Sequence, residues 1–375
     1  EAVARGVIEA GVGVASAYPG SPSSEILPAI AGVAKEFNIH AEWSVNEKVA
    51  MEVAAGASFA GVRSFCTMKQ NGANVASDFI VNLNMTGIGE AGMVLLIADD
   101  PGGLTSNNEE DSRPITKWLD NPLLEPSSGQ EAMEMIKWAY EVSEETNLLV
   151  FVRGVARICY TRSNVVLGEL PKDEREKAIF SDVWDMDDPL KSKFTSGPFP
   201  VFHKALHEKM KNAQAMFEKS KFNKYTGPKN PELLIITCGA CTSYSREAVN
   251  ELNLTDRVGI LKLGTTWPLP EKLVLKHLNA ANKVLFVEET EAFVEQSVME
   301  LIAGRLPSLC NLTFHGVTSG HFTPYNEMST ELVMSALTDI LDSGPIMKKS
   351  KYEKKIEKIV NLIPNRPINF CAGCP

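Results

Sequence analysis

Long apolar runs are absent from this sequence. No stretch reaches the roughly 18 uncharged residues that a membrane-crossing helix requires, and no signal peptide is visible. The sequence has no Walker A loop, no His-Glu-x-x-His and no Gly-x-Ser-x-Gly elbow. That removes the P-loop nucleotidases, the common zinc peptidases and the α/β-hydrolases. Basic charge is short: 37 Lys and Arg against 47 Asp and Glu leave a net charge of −10. Such a balance argues against nucleic acid as the main partner, because phosphate binding wants basic surface. The basic run at 348–358 reads as a solvated connector. The six histidines are scattered, and no Ser/His/Asp set stands out. Cysteine is sparse too. Seven residues without a regular framework fit a reducing cytoplasm rather than a secreted disulfide scaffold.

What is present is strand–helix alternation. A length of 375 residues suggests two or three domains. Apolar strand patterns at 12–17, 62–66, 93–98 and 148–153 alternate with helical ones, such as 47–59, where Val49, Val53 and Ala57 recur at helical spacing. Ser128 and Glu131 form a capping box ahead of a 131–143 helix. Residues 161–230 break the alternation and read as a connector, partly helical, with a polar helix near 203–221. Strands at 233–237, 259–263 and 283–287, with helices near 244–252, 271–278 and 293–302, make a second unit over 231–343. The fold class expected is therefore α/β with two parallel-sheet domains. The chain opens inside an amphipathic helix pattern and ends in Cys371-Ala-Gly-Cys374-Pro375. It is expected to be an ordered piece of a longer polypeptide.

Ligands of open parallel sheets sit beyond the carboxyl ends of strands. Three loops there stand out. In the first, Tyr18-Pro19-Gly20-Ser21-Pro22-Ser23-Ser24-Glu25, Gly20 permits a tight turn, Ser21 is placed to cap a helix and Pro22 suits its first position. Its hydroxyls and amides would form either a well-made turn or a ligand rim. In the second, Glu47 opens a helix whose next turns are small and apolar; an acid there is either a dipole-stabilising surface residue or a site residue. The third runs from Ala98 through Arg113, long and polar. Arg113 is its only cation, able to hold a carboxylate by a bidentate pair or to tie the loop to Glu110 or Asp111. Cys238-Gly-Ala-Cys241 is read as a pair of buried or half-buried thiols rather than a redox or metal motif.

Eight stretches, in order along the chain, carry a resemblance: 18–26 (YPGSPSSEI), 46–57 (NEKVAMEVAAGA), 98–102 (ADDPG), 108–113 (NEEDSR), 125–132 (EPSSGQEA), 261–273 (LKLGTTWPLPEKL), 287–289 (VEE) and 371–375 (CAGCP). Together they resemble the alpha subunits of the indolepyruvate ferredoxin oxidoreductases, within the thiamine-diphosphate-dependent 2-oxoacid:ferredoxin oxidoreductases. The resemblance implies a pyrimidine-binding domain at 1–160, a transketolase-C-terminal-like domain at 231–343, and at 344–375 a linker into a diphosphate-binding domain beyond this sequence. It implies oxidative decarboxylation of an aryl-2-oxoacid such as indolepyruvate to acyl-CoA, CO2 and reduced ferredoxin. The rivals are pyruvate, 2-oxoglutarate or branched 2-oxoacids as substrate, or a non-catalytic scaffold of a redox complex.

By the same resemblance Glu47 would hydrogen-bond the pyrimidine N1′ of thiamine diphosphate, with Pro19, Gly20 and Ser21 beside the cofactor. Ser21 and Arg113 would stand near the substrate, Arg113 on its carboxylate. Mg2+ and [4Fe–4S] clusters would be bound largely outside this segment. Cys371 and Cys374 are candidate cluster ligands, two of the four thiolates a cluster needs. Partners implied are a second, beta- or gamma-type subunit, ferredoxin and coenzyme A, in a cytoplasmic oligomer with no membrane or nucleic-acid role. There are two departures from the resemblance: Leu104-Thr105-Ser106-Asn107 stands where the family often has His-Ser-Ser-Gln, which bears on substrate identity, and Cys238/Cys241 replace small residues.

Overall fold

The computed structural model describes residues 1–171, 178–179, 190, 198–304, 312–342, 351–360 and 362–364. It is mixed α/β, with two largely parallel sheets. In the first half α1 (Ala2–Glu9), α2 (Ile26–Ala31), α3 (Glu47–Phe59), α4 (Gln70–Thr86), α5 (Arg113–Trp118), α6 (Gly129–Thr146) and α7 (Ala156–Tyr160) alternate with strands. Those strands are β1 (Val14–Ala17), β2 (His40–Trp43), β3 (Ser64–Lys69), β4 (Met93–Asp99), β5 (Leu123–Leu124) and β6 (Val150–Val155). Their order in the sheet is β5-β6-β4-β3-β1-β2, all parallel. The centre is β3, β4 and β6, every residue of which is buried. Continuous apolar runs such as Met93–Ile97 suit strands covered on both faces.

After α8 (Phe199–Phe217) and β7 (Lys224–Thr226), the second sheet is built on β8 (Leu233–Cys238), β9 (Val258–Leu263), β11 (Lys283–Val287) and β12 (Thr313–His315), in the order β12-β11-β8-β9-β7. Only β7 is antiparallel. Its helices are α9 (Cys241–Glu251), α10 (Glu271–Leu278), α11 (Phe293–Ala303) and α12 (Thr330–Leu341); α13 (Lys351–Val360) follows.

The two halves are not separate bodies. Strand β10 (Thr265–Trp267), from the second half, pairs antiparallel with β5 and closes the edge of the first sheet. One apolar core joins Met51, Ile80 and Phe151 to Leu234, Phe286 and Phe293. Burying each such side chain is worth about 1.5–3 kcal/mol, so the junction is a core rather than a hinge. The region expected to be a polar connector also packs. Helix α8 buries Phe202, Leu206, Met210, Ala213 and Phe217, an apolar stripe at helical spacing.

Local signals behave as their chemistry demands. Asn46 caps α3 by accepting from Val49 N at 2.9 Å. Ser128 caps α6 by accepting from Glu131 N at 3.2 Å, and Glu131 reaches back one residue beyond the cap, accepting from Ser127 N at 3.0 Å, a variant of the capping box. Ser21 is the exception. Helix α2 begins at Ile26, so Ser21 and Pro22 stand in the preceding turn and cap nothing. The turn is closed instead by Ser23, which donates to Gly20 O at 2.7 Å, and by Ser24, which accepts from Gly20 N at 2.9 Å.

Candidate functional site

Because β1, β2, β3 and β4 run parallel side by side, the 18–25 loop, the 44–47 segment, the start of α4 and the 100–112 loop all emerge at one edge of the sheet. Glu47 is the acid there. It begins α3, is 7% exposed, and no donor among the described residues hydrogen-bonds its carboxylate. Its side chain lies against Gly72 of α4: a Cβ built on Gly72 would sit 2.6 Å from Glu47 Cγ and 2.8 Å from Oε1. Gly72 is glycine because the acid occupies the space any larger residue would fill. Below lies Cys66, whose thiol is pushed up to about 12 by burial, with the Glu47 charge adding to the effect. A buried carboxyl without an internal partner is costly, and it makes sense where a ligand atom supplies the missing hydrogen bond.

Gly20 is buried for a reason other than turn geometry. A Cβ there would meet Lys69 Cγ at 2.7 Å and Cδ at 2.8 Å. The Lys69 stem lies over the loop, and its Nζ reaches Asn107 Oδ1 at 3.3 Å. Next to it Gln70 Nε2 donates to Ser106 Oγ and Asn108 O, both at 3.3 Å, and fastens the 104–108 segment to the head of α4. Pro19 is exposed and Ser21 half-buried at the rim. The structure thus brings Glu47, Gly20 and Ser21 to the same sheet edge. Lys69, Gln70 and Gly72 went unread, although a charged residue closing an otherwise apolar or small-residue strand was the available signal for Lys69.

Arg113 is elsewhere in kind. It is fully buried, and its guanidinium is saturated. Nε and Nη2 fork onto Asp111 at 2.9 and 2.6 Å; Nη1 donates to Glu288 Oε2 at 2.6 Å and lies 3.7 Å from Cys238 Sγ. Nη2 also donates to the Glu289 and Glu291 carbonyls at 2.6 and 2.9 Å. An arginine has five N–H donors, and all are engaged here. Of the two roles open to Arg113, tying its own loop is the one observed, and Glu288 from the second sheet shares the work; holding a substrate carboxylate would require it to release one of these partners.

Arg113 is half of a larger ion cluster between the two sheets. Arg153, at the end of β6, pairs with Asp99 at 2.6 Å and Glu125 at 2.8 Å, and Asp111 lies 3.6 Å away. Glu288 is further held by the amides of Val294 and Glu295, both at 2.9 Å, at the start of α11. Burial alone would raise Asp111, but Arg113 and Arg153 outweigh it and hold its carboxyl at about 2. For Glu289 burial wins, and its carboxyl rises to about 7, while Met328 N donates to it at 2.8 Å. Four of the eight stretches that carried the family resemblance, those holding Asp99, Asp111 to Arg113, Glu125 and Glu288, meet in this one cluster.

Cys238 and Cys241 are buried, unbonded thiols, pushed well above the ordinary range by burial. Cys371 and Cys374 lie outside the described residues. Asp120, His203 and His207 could hold a metal ion, with ligand atoms within 4.8 Å of one another. Both histidines are exposed, on α8, and the trio belongs to neither the ion cluster nor the Glu47 edge. No helix among the described residues is long and apolar enough to cross a membrane.

The fold defines a class first: a mixed α/β architecture shared with a 2-oxoacid oxidoreductase and a transketolase. 2-Oxoglutarate:ferredoxin oxidoreductase from Magnetococcus marinus superposes with a TM-score of 0.65 over 90% of this chain and 64% of that chain, at 17% identity. A split-gene transketolase superposes with 0.58 over 92% of this chain and 98% of that one, at 14% identity. These likenesses concern the fold. The chain belongs to the family described as "Pyruvate flavodoxin/ferredoxin oxidoreductase, thiamine diP-bdg", whose thiamine-diphosphate-binding domain matches residues 5–216. Among curated relatives, indolepyruvate oxidoreductase subunit IorA of Pyrococcus horikoshii is 37% identical over 380 aligned residues, and that of Methanothermobacter marburgensis 39% over 376. Both alignments take in 100% of this chain but only 57% and 58% of the relatives' length.

Proposed function

We propose that this chain supplies the pyrimidine side of the thiamine-diphosphate site in a 2-oxoacid:ferredoxin oxidoreductase subunit, with an aryl-2-oxoacid such as indolepyruvate as substrate. The observation that carries the reading is Glu47: a buried carboxyl with no internal hydrogen bond, at the ligand edge of a parallel sheet, against a glycine. The residues fit the group. Glu47 would share a hydrogen bond with the pyrimidine ring nitrogen N1′, with Gly72 giving the acid its place and the 18–25 loop at the same edge. When bound, thiamine diphosphate supplies the electron sink that lets the bond to the departing CO2 break. Glu47, fixed at the start of α3, would be positioned to hydrogen-bond that nitrogen. The overall change takes a 2-oxoacid and coenzyme A to acyl-CoA, CO2, one proton and two electrons, the electrons passing singly to ferredoxin.

The domain reading follows: residues 1–160 as the pyrimidine-binding unit and 231–343 as the transketolase-C-terminal-like unit, the latter lending β10 to the former. Mg2+, the diphosphate and any [4Fe–4S] cluster would be held by the remaining length that the relatives have and this chain does not. The relatives are named as subunits, which supports a second subunit as partner. Exposed Trp43 and Val45, just ahead of Glu47, are apolar surface that such a neighbour would cover.

The reading is tested on the full-length chain with its partner subunit. Aryl, branched, pyruvate and 2-oxoglutarate substrates are compared by coenzyme-A-dependent reduction of ferredoxin. The highest kcat/KM is expected for an aryl-2-oxoacid. No coenzyme-A-dependent reduction with any of them would overturn it.

A further inference from the structure

We propose that Lys69 receives the carboxylate of the 2-oxoacid, with Asn107 and Gln70 positioning it. This rests on the function proposed above and turns to a buried cation that, unlike Arg113, has no carboxylate partner.

Four basic side chains are buried among the described residues: Lys69, Arg113, Arg153 and Lys262. Three have carboxylate partners. Arg113 has Asp111 and Glu288, Arg153 has Asp99 and Glu125, and Lys262 has Glu131. Lys69, 7% exposed, has none; its ammonium meets only the neutral Asn107 amide oxygen at 3.3 Å. Removing an ammonium from water costs several kcal/mol, and one weak neutral hydrogen bond does not return it. The deficit is one negative charge, at the ligand edge of the sheet.

The surroundings lack the same thing. Lys69 is the residue before α4, a helix of 17 residues whose N-terminus has no side-chain cap. Gln70 Oε1 and Asn71 Oδ1 are buried there without partners. Open amides at a helix start favour an anion. One helical position further, Gly72 touches Glu47. The unpaired cation and the unpaired acid therefore flank one helix end, the arrangement needed to place a carboxylate beside the pyrimidine ring. Gly20 leaves the space that the Lys69 stem occupies, since a side chain at that position would displace it.

The test uses the full-length chain with its partner subunit, loaded with thiamine diphosphate and Mg2+. Lys69→Met keeps the stem and deletes the charge; Lys69→Arg keeps the charge; Lys69→Gln serves if the methionine variant fails to fold. Calorimetry compares an unreactive 3-aryl-2-hydroxypropanoate with its uncharged amide. The wild type should prefer the acid by roughly 10–150-fold, the scale of one charge-assisted hydrogen bond. Lys69→Met should erase that preference and Lys69→Arg keep part of it. The thiamine diphosphate Kd should not change, and the ligand-free melting temperature should not fall. An acid preference that survives in Lys69→Met overturns the proposal. So does a shift in thiamine diphosphate affinity with the acid preference intact, which would put the diphosphate on Lys69. A wild type that turns over 2-oxoacids, with kcat/KM unchanged in Lys69→Met, sinks this inference alone. A wild type inert to every 2-oxoacid sinks the proposed function with it.

Discussion

Two buried polar regions lie at the carboxyl ends of the parallel strands, and they differ in their accounts. In the Arg113–Arg153 cluster every cation meets carboxylates at 2.6–2.8 Å, drawn from both sheets. Glu47 and Lys69 are also buried, each 7% exposed, but have no counter-charge among the described residues. Each charge in the cluster meets a counter-charge, although Arg153 Nη2, Asp99 Oδ1 and Glu125 Oε1 have no hydrogen-bond partner. The Glu47–Lys69 edge has no such pairing among the described residues. Neither burial nor an unpaired polar atom, then, separates the two regions; the missing counter-charge does. By that measure the long polar loop splits in two. Its Arg113 end faces inward as a clamp between the halves, and its 104–108 end faces the open site.

Perturbing each region should have opposite signatures, which is the strongest way to break the distinction. Glu47→Gln is nearly isosteric and has no internal hydrogen bond to lose. Turnover of the intact enzyme should fall by about 10²–10⁴, the scale of losing a positioned proton partner, with the melting temperature unchanged. Near-normal turnover with thiamine diphosphate shown to be bound would remove Glu47 from the chemistry. Arg113→Met should do the reverse. It strands Asp111 and Glu288 without their cation, at about 3–5 kcal/mol, so the melting temperature should drop and soluble yield with it. If Arg113→Met keeps its stability and loses activity toward every 2-oxoacid, the cluster is not the clamp described above.

Gly72→Ala sharpens the open side. The new Cβ would enter the space of Glu47 Cγ and Oε1. Alanine is otherwise the better helix residue by about 1 kcal/mol, so stability should hold or improve. Displacing the acid by a fraction of an ångström to one ångström should lower turnover by up to about 10²-fold. Activity equal to wild type would mean that the carboxyl position is not critical.

The sequence revealed the scaffold more readily than the distinction between these regions. The helix Glu47–Phe59 and the strand Lys283–Val287 could be read to the residue, because apolar spacing is a local signal. Strands β2, β5, β7, β10 and β12 could not. They have two to four residues each and exist because a neighbour offers a pairing edge. Arg113 was legible as a notable cation, but its role was not. Its counter-charge Glu288 is 175 residues away, so the loop sequence alone shows only Glu110 and Asp111. Ser21 looked like a cap by residue type, yet the turn runs on to Ile26 before helix begins.

The smallest expected effect concerns the margin of the closed cluster. Glu289 accepts one amide hydrogen bond, from Met328, while its Oε1 has no partner, and burial lifts its carboxyl to about 7. Its ordinary value is 4.5. A carboxyl raised in the folded state contributes stability that is present below its unfolded value and lost as the pH climbs through its folded value. Between about pH 4.5 and 7 the native protein holds a proton here that the unfolded chain has released, so this residue makes stability fall with rising pH. Asp111 runs the other way, lowered to about 2, and its contribution disappears only when the pH drops below 3.8 toward that value. Across pH 4.5–7, then, Asp111 is silent and Glu289 is not. Glu289→Gln keeps the oxygen that accepts from Met328 N and cannot ionise. Melting curves should show a variant more stable than wild type at pH 8, by on the order of 1–3 kcal/mol, and nearly equal to it at pH 4.5. A constant offset at both pH values would mean that the substitution acts through packing, and that the proton on Glu289 is not what limits the closed region at neutral pH.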